Sequence, residues 1–133
     1  VYFNDSLPRV TWAYDLAEGG SISNKRDWKL YSVEDGFPDG MAVDVEGGIW
    51  MAFYESWLLR RYSPDGEVLD ERRLPVRQGL RPAFGGKNMD RLFLTSAANA
   101  LSAEDQKRQP LAGSVFEILN PGVRGMPNVA FAG

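Results

Sequence analysis

Two residue types that carry much of enzyme chemistry are missing from this sequence: its 133 residues include no histidine and no cysteine. Ser-His-Asp triads, Cys-His pairs, structural zinc sites and imidazole acid/base catalysis are therefore excluded within these residues. Carboxylates, amides, Lys, Tyr or an oxygen-preferring metal must do any chemistry. Asp39, between Pro38 and Gly40, is the leading carboxylate. Carboxylate, carbonyl and amide oxygens with water suit Ca²⁺, Mg²⁺ or Mn²⁺, and a metal-bound water or polarised carbonyl can use the same Asp as its base. Pro-Asp-Gly is equally a favoured β-turn for steric reasons. Asp44-Val45-Glu46-Gly47-Gly48 and Asp65-Gly66 read as hairpin turns. Asp5, at the end of a first strand, reads either as a pocket-lining residue or as a satisfied turn carboxylate. Among the aromatics, Trp12 and Trp50 are assigned to the core, while Tyr54 and Trp57, flanking Glu55, are candidates for a pocket rim that stacks on a sugar-like substrate.

These residues must be held by strands. Fourteen Gly and eight Pro punctuate brief segments rich in Val, Ile, Phe, Tyr and Trp that often alternate apolar with polar, which is the pattern of an all-β chain. Expected strands are Val1 to Asn4, Val10 to Tyr14, Trp28 to Tyr31, Met41 to Val45, Ile49 to Phe53, Leu58 to Tyr62, Val68 to Leu74, Arg91 to Ser96 and Ser114 to Leu119. Between Ala97 and Arg108 a helical turn is expected, with Ser102 as its N-cap. VYFNDS, IWMAFY and LFLTSA share an apolar pattern and start 48 and 43 residues apart. Units of roughly 40 to 45 residues holding about four strands are what propeller blades look like. The chain therefore divides into about three four-stranded blades, at 1–36, 37–80 and 81–133, forming one half-propeller domain. A short strand precedes Ile49 and another precedes Leu92, but none precedes Val1, so the first blade is expected to lack its inner strand. Open flanks of this kind call for a partner.

The ordered series FPDGMAVDVEGGIWMAFYES, RRYSPDGEVL, LPV, AFGGKNMDRLFLTSA and QPLAGSVFEI, preceded by VYFNDS and YDLAEGGSISNKRDW, closely resembles the C-terminal half of the regucalcin/gluconolactonase (senescence-marker-protein) family. The resemblance implies a six-bladed β-propeller that hydrolyses lactones, and in some relatives other esters or organophosphates, at one divalent metal on the propeller axis. It assigns Asp39 as a metal ligand and catalytic residue at the mouth of the axial tunnel. The family's remaining ligands, a Glu and Asn residues, map to positions before Val1. Calcium is the expected ion, with Mg²⁺, Mn²⁺ or Zn²⁺ as alternatives, and no other cofactor is expected.

The first expectation is thus a half-length, metal-dependent lactone or ester hydrolase whose two copies form a pseudo-six-bladed homodimer. An isologous pair covers both open flanks at once and turns two Asp39 carboxylates toward each other. A non-catalytic binding or assembly module that lost most metal ligands is the alternative, and a fragment of a longer lactonase the third reading. The net charge of −3 and the scattering of Lys and Arg argue against nucleic acid. No apolar run approaches the roughly 20 residues of a membrane span. The start VYFNDS lacks a signal-peptide layout, which leaves the compartment open with the cytoplasm favoured.

Overall fold

The computed structural model describes residues 1–127, which form ten strands and one short helix. They group as β1 (Tyr2–Asp5), β2 (Val10–Leu16) and β3 (Ile22–Leu30); β4 (Phe37–Val43), β5 (Ile49–Tyr54), β6 (Leu58–Tyr62) and β7 (Val68–Arg73); and β8 (Gly79–Gly85), β9 (Arg91–Ser96) and β10 (Val115–Ile118). Each group is one antiparallel sheet in which sequence neighbours pair, of three, four and three strands. Residues 128–133, part of the segment from Met126 to Gly133, lie outside the described residues. Among the described residues no helix is long and apolar enough to cross a membrane.

The middle sheet is sandwiched, and the period of a strand explains how. Successive side chains on β5 point to opposite faces. Trp50 and Ala52 pack with Leu59, Leu92 and Leu94 on the side of the third sheet. Ile49, Met51 and Phe53 pack with Tyr31 and Tyr62, and with Tyr2 and Trp28 of the first sheet. All five residues from Ile49 to Phe53 are fully buried, each large one stabilising the fold by about 1.5–3 kcal/mol. A strand with no wet face needs no polar alternation, and IWMAF has none.

Three strands depart most from expectation. β4 starts at Phe37 rather than Met41 and carries Pro38 and Gly40 inside it. β8 starts at Gly79 and carries Pro82. Both are edge strands of their sheets, where a residue without an N–H is tolerated, and both shift register at that point. β3 runs nine residues rather than four because a polar, exposed strand can be held by cross-strand partners: Asn24 and Arg26 donate to Asp15 at 2.7 and 2.9 Å, and Lys25 sits over the Trp12 ring. The helix α1 (Ala103–Arg108) starts at the expected cap, with the Ser102 hydroxyl accepting from the Asp105 N–H at 3.0 Å.

Candidate active site around Asp39

Asp39 lies on the exposed edge of the middle sheet, inside the irregularity between Pro38 and Met41 of β4. The Pro-Asp-Gly segment is thus a bulged strand, not a free-standing turn. An edge strand leaves carbonyls unpaired, and the β1–β2 corner of the first sheet satisfies two of them and the Gly36 carbonyl just before the strand. Arg9 Nε donates to the Gly36 carbonyl at 3.1 Å, Ser6 Oγ to the Pro38 carbonyl at 2.7 Å, and Asn4 Nδ2 to the Asp39 carbonyl. Asn4 is itself oriented from behind. The buried Thr11 hydroxyl donates to its Oδ1 at 2.5 Å and lies 2.9 Å from the Tyr31 hydroxyl, which contacts Met51 Sδ at 3.1 Å. Burial pushes the Tyr31 phenol well above its usual range, against the Thr11 bond, so it stays a neutral hydroxyl.

On the third-sheet side, β8 approaches β4 so closely that a Cβ at Gly40 would sit 2.8 Å from Arg81 Cα. Glycine is required there for space. The backbone that presents Asp39 is therefore fixed from both sides.

The Asp39 carboxyl is treated differently. It is half-buried, and burial raises its pKa above the ordinary carboxylate value, opposed only by the Gly40 N–H. No ion pair neutralises it among the described residues. It opens on two adjoining cavities. One, of about 330 Å³, is lined by Ser6, Leu7, Phe37, Asp39 and Tyr54; the other, of about 420 Å³, runs past Asn4 and Gly40 to Arg81.

A hard cation such as Ca²⁺ takes six to eight oxygen ligands. Asp39 fits as one of them, since a desolvated carboxylate without a counter-charge is a cation's natural partner. The set is not complete here: among the described residues no group of three or more acidic side chains could hold an ion.

The other residues singled out from sequence are placed as follows. Tyr54 lines the 330 Å³ cavity. Asp5 ends β1 opposite Val10, and its neighbours Asn4 and Ser6, rather than Asp5 itself, line the two cavities. Trp57 lies under the Arg73 guanidinium, 5.9 Å from the ring centre, and is not among the residues lining either cavity. Sequence reasoning passed over Asn4 and Arg81, whose roles depend on contacts across sheets, and took up Ser6 only beside Asp5 at the end of the first strand, where it does line both cavities. For Asn4-Asp5-Ser6 the available signal was a polar cluster closing an apolar strand; for Arg81 there was none.

This arrangement defines a class first. Three antiparallel sheets of three, four and three strands, packed side by side with their edge strands β4 and β8 together, are a propeller-type β architecture. The family model described as "SMP-30/Gluconolactonase/LRE-like region" matches residues 1–98, and the chain belongs to that family. Regucalcin from Gallus gallus is 37% identical over 134 residues, as is human regucalcin; 99% of this chain aligns with 45% of each. The chain thus spans about half the length of the curated relatives it matches. Among solved structures, a calcium-binding regucalcin from Agrobacterium tumefaciens superposes with a TM-score of 0.86 at 29% identity, covering 94% of this chain and 43% of that one. A luciferin-regenerating enzyme gives 0.83 at 32% identity, covering 94% and 42%.

Proposed function

We propose that this chain contributes Asp39 to the active site of a metal-dependent lactone or ester hydrolase, as a metal ligand and as the base. The observation that carries the reading is the half-buried, unpaired Asp39 carboxylate opening on two cavities at the inner edge of the middle sheet. The family's description includes gluconolactonase, which supports a lactone as substrate, and the Agrobacterium relative is described as calcium-binding, which supports calcium as the ion. A bound calcium ion would polarise the ester carbonyl and offset developing negative charge. Asp39 would take the proton of the attacking water as the new C–O bond forms, then return it to the alkoxide as the ring C–O bond breaks, giving a hydroxy acid. The same carboxylate can serve both roles because it has two oxygens, one to hold the ion and one to take the proton.

The remaining ligands would come from a second copy of this chain, docked across a two-fold axis. The edge of β1 away from β2 and the edge of β10 away from β9 have no strand paired to them among the described residues, so an isologous pair would cover them together. Native mass spectrometry of the purified chain during a calcium titration tests both parts. A dimer near twice 14.8 kDa that takes up calcium, hydrolyses glucono-1,5-lactone and loses both properties as Asp39→Asn is expected. A monomer without calcium uptake would favour the second reading, a non-catalytic assembly module, for which the incomplete ligand set is the supporting observation.

A further inference from the structure

One polar group beside the cavity has no role in the scheme above. Gln78 is almost wholly buried, at 1% exposure, just before β8. Its amide nitrogen lies 2.8 Å from the Tyr54 hydroxyl and 2.8 Å from Glu55 Oε1. Glu55 is fixed in turn: its backbone takes the left-handed conformation, φ 69°, at the tip of the β5–β6 hairpin, a conformation uncommon for a residue with a Cβ. Its other oxygen meets Arg77 Nε at 2.9 Å. Tyr54 and Gln78 are also joined by a backbone bridge.

These contacts settle the sense of every bond in the chain. A carboxylate only accepts, so the Gln78 face turned to Glu55 must be its NH₂. Turning the amide over would set oxygen against oxygen. One hydrogen of that NH₂ goes to Glu55, and the other goes to Tyr54. The Tyr54 oxygen therefore accepts from Gln78, and its own hydrogen is left to be given elsewhere. Tyr54 lines the 330 Å³ cavity with Asp39. The Gln78 oxygen, meanwhile, is buried without a partner, a desolvation cost that an amide chosen only for packing would avoid.

We propose that Gln78, held by Glu55, is a positioning residue that keeps the Tyr54 hydroxyl as a hydrogen-bond donor toward an oxygen of the ligand in the Asp39 cavity. The inference rests on the hydrolase reading for what that ligand is, a lactone whose carbonyl or ring oxygen accepts the bond. The geometry itself requires only an oxygen acceptor.

The test inverts the polarity of the pair. Gln78→Glu replaces the donor by an acceptor that captures the Tyr54 hydrogen; Gln78→Lys keeps a donor there and pairs with Glu55. The probe is δ-valerolactam, a ring that offers a carbonyl oxygen and resists hydrolysis, with binding followed by ligand-observed NMR and with glucono-1,5-lactone turnover measured alongside. Tyr54→Phe and Gln78→Glu should each weaken lactam binding about five- to tenfold, the worth of one hydrogen bond. The double variant should be no weaker than Tyr54→Phe alone, and Gln78→Lys should stay within about twofold of the parent. Should Gln78→Glu fail to fold, Gln78→Met, which removes the donor without adding charge, takes its place with a smaller loss. Losses that multiply in the double variant, or a Gln78→Lys protein as weak as Gln78→Glu, would overturn the proposal. Turnover without any dependence on Tyr54 or Gln78 would do the same while leaving the hydrolase reading intact. Lactam binding that depends on both Tyr54 and Gln78, without turnover, would support the positioning role and remove the hydrolase reading. Absence of both binding and turnover would sink the two together.

Discussion

Asp39 and Asp44 stand five residues apart, one within β4 and one just past its end, and their surroundings are opposite. Asp44, 1% exposed, accepts from the Glu46 and Gly48 N–H groups at 3.0 and 2.9 Å, from Trp50 Nε1 at 3.1 Å and from Arg61 Nε at 2.8 Å. Burial works against its charge, but the Arg61 bond and those N–H groups outweigh it and hold the carboxyl below the usual range. Asp39 has burial and almost nothing to offset it, and its pKa moves up. The contrast sets a criterion for a candidate site: unspent hydrogen-bonding and charge capacity, rather than acidity and position, is what singles out Asp39 for the proposed role. Asp44 ties the β4–β5 hairpin to the core tryptophan, whereas Asp39 is left with something still to bind.

The sharpest way to break this contrast is to remove each carboxylate. Asp44→Ala leaves the Arg61 guanidinium and the Trp50 N–H without their acceptor and should cost about 3–5 kcal/mol, read as a lower denaturation midpoint. Asp39→Asn should leave stability unchanged or slightly raised, because it deletes a charge that burial disfavours, yet should lower lactone turnover about 100-fold or more. If Asp39→Asn destabilised the protein as much as Asp44→Ala, Asp39 would be structural after all.

Acid titration separates the pair next. Asp44 has a lowered folded pKa, so its stabilisation is fully present above the ordinary carboxylate value of 3.8 and is lost as pH falls through its lower folded value. Asp39 has the opposite sign: with a raised folded pKa, its neutral form favours folding, and stability declines as pH rises from 3.8 through that higher value. Denaturant melts across pH 2–6 should therefore show the acid-side loss diminished in Asp44→Asn, and the decline above 3.8 diminished in Asp39→Asn.

The smallest effect concerns the clamp. Ser6→Ala removes the donor to the Pro38 carbonyl and should cost about 0.5–1.5 kcal/mol, with a larger proportional fall in turnover than in stability if that bond positions Asp39. An equal fall in both would make Ser6 a mere strand tie.

Strands with ordinary patterning were legible in the sequence. β1, β5, β6 and β9 lie close to their expected ranges because apolar, β-branched and aromatic residues crowd them. β4 and β8 were cut short because Pro38, Gly40 and Pro82 signal turns, and only their position at sheet edges makes those residues acceptable. β3 was hidden by its polarity: SNKRD has no buried face to announce a strand. For the site, Pro38-Asp39-Gly40 drew attention to the carboxylate on which the proposal rests, but spacing alone could not tell turn from ligand. Asn4, Ser6, Gln78 and Arg81 are ordinary polar residues until three sheets bring them beside Asp39 and Tyr54, and no local pattern encodes that meeting.

A last consequence belongs to β5, walled in on both sides by neighbouring sheets. Its odd and even residues look toward different neighbours, so the strand is a two-channel recorder of assembly. Whichever outer sheet docks first silences one channel while the other still meets water. A conservative cavity at Ala52 or Trp50 should therefore slow one burial event in refolding, and a cavity at Met51 the other. Time-resolved hydrogen exchange at those amides would read the order in which the wedge closes.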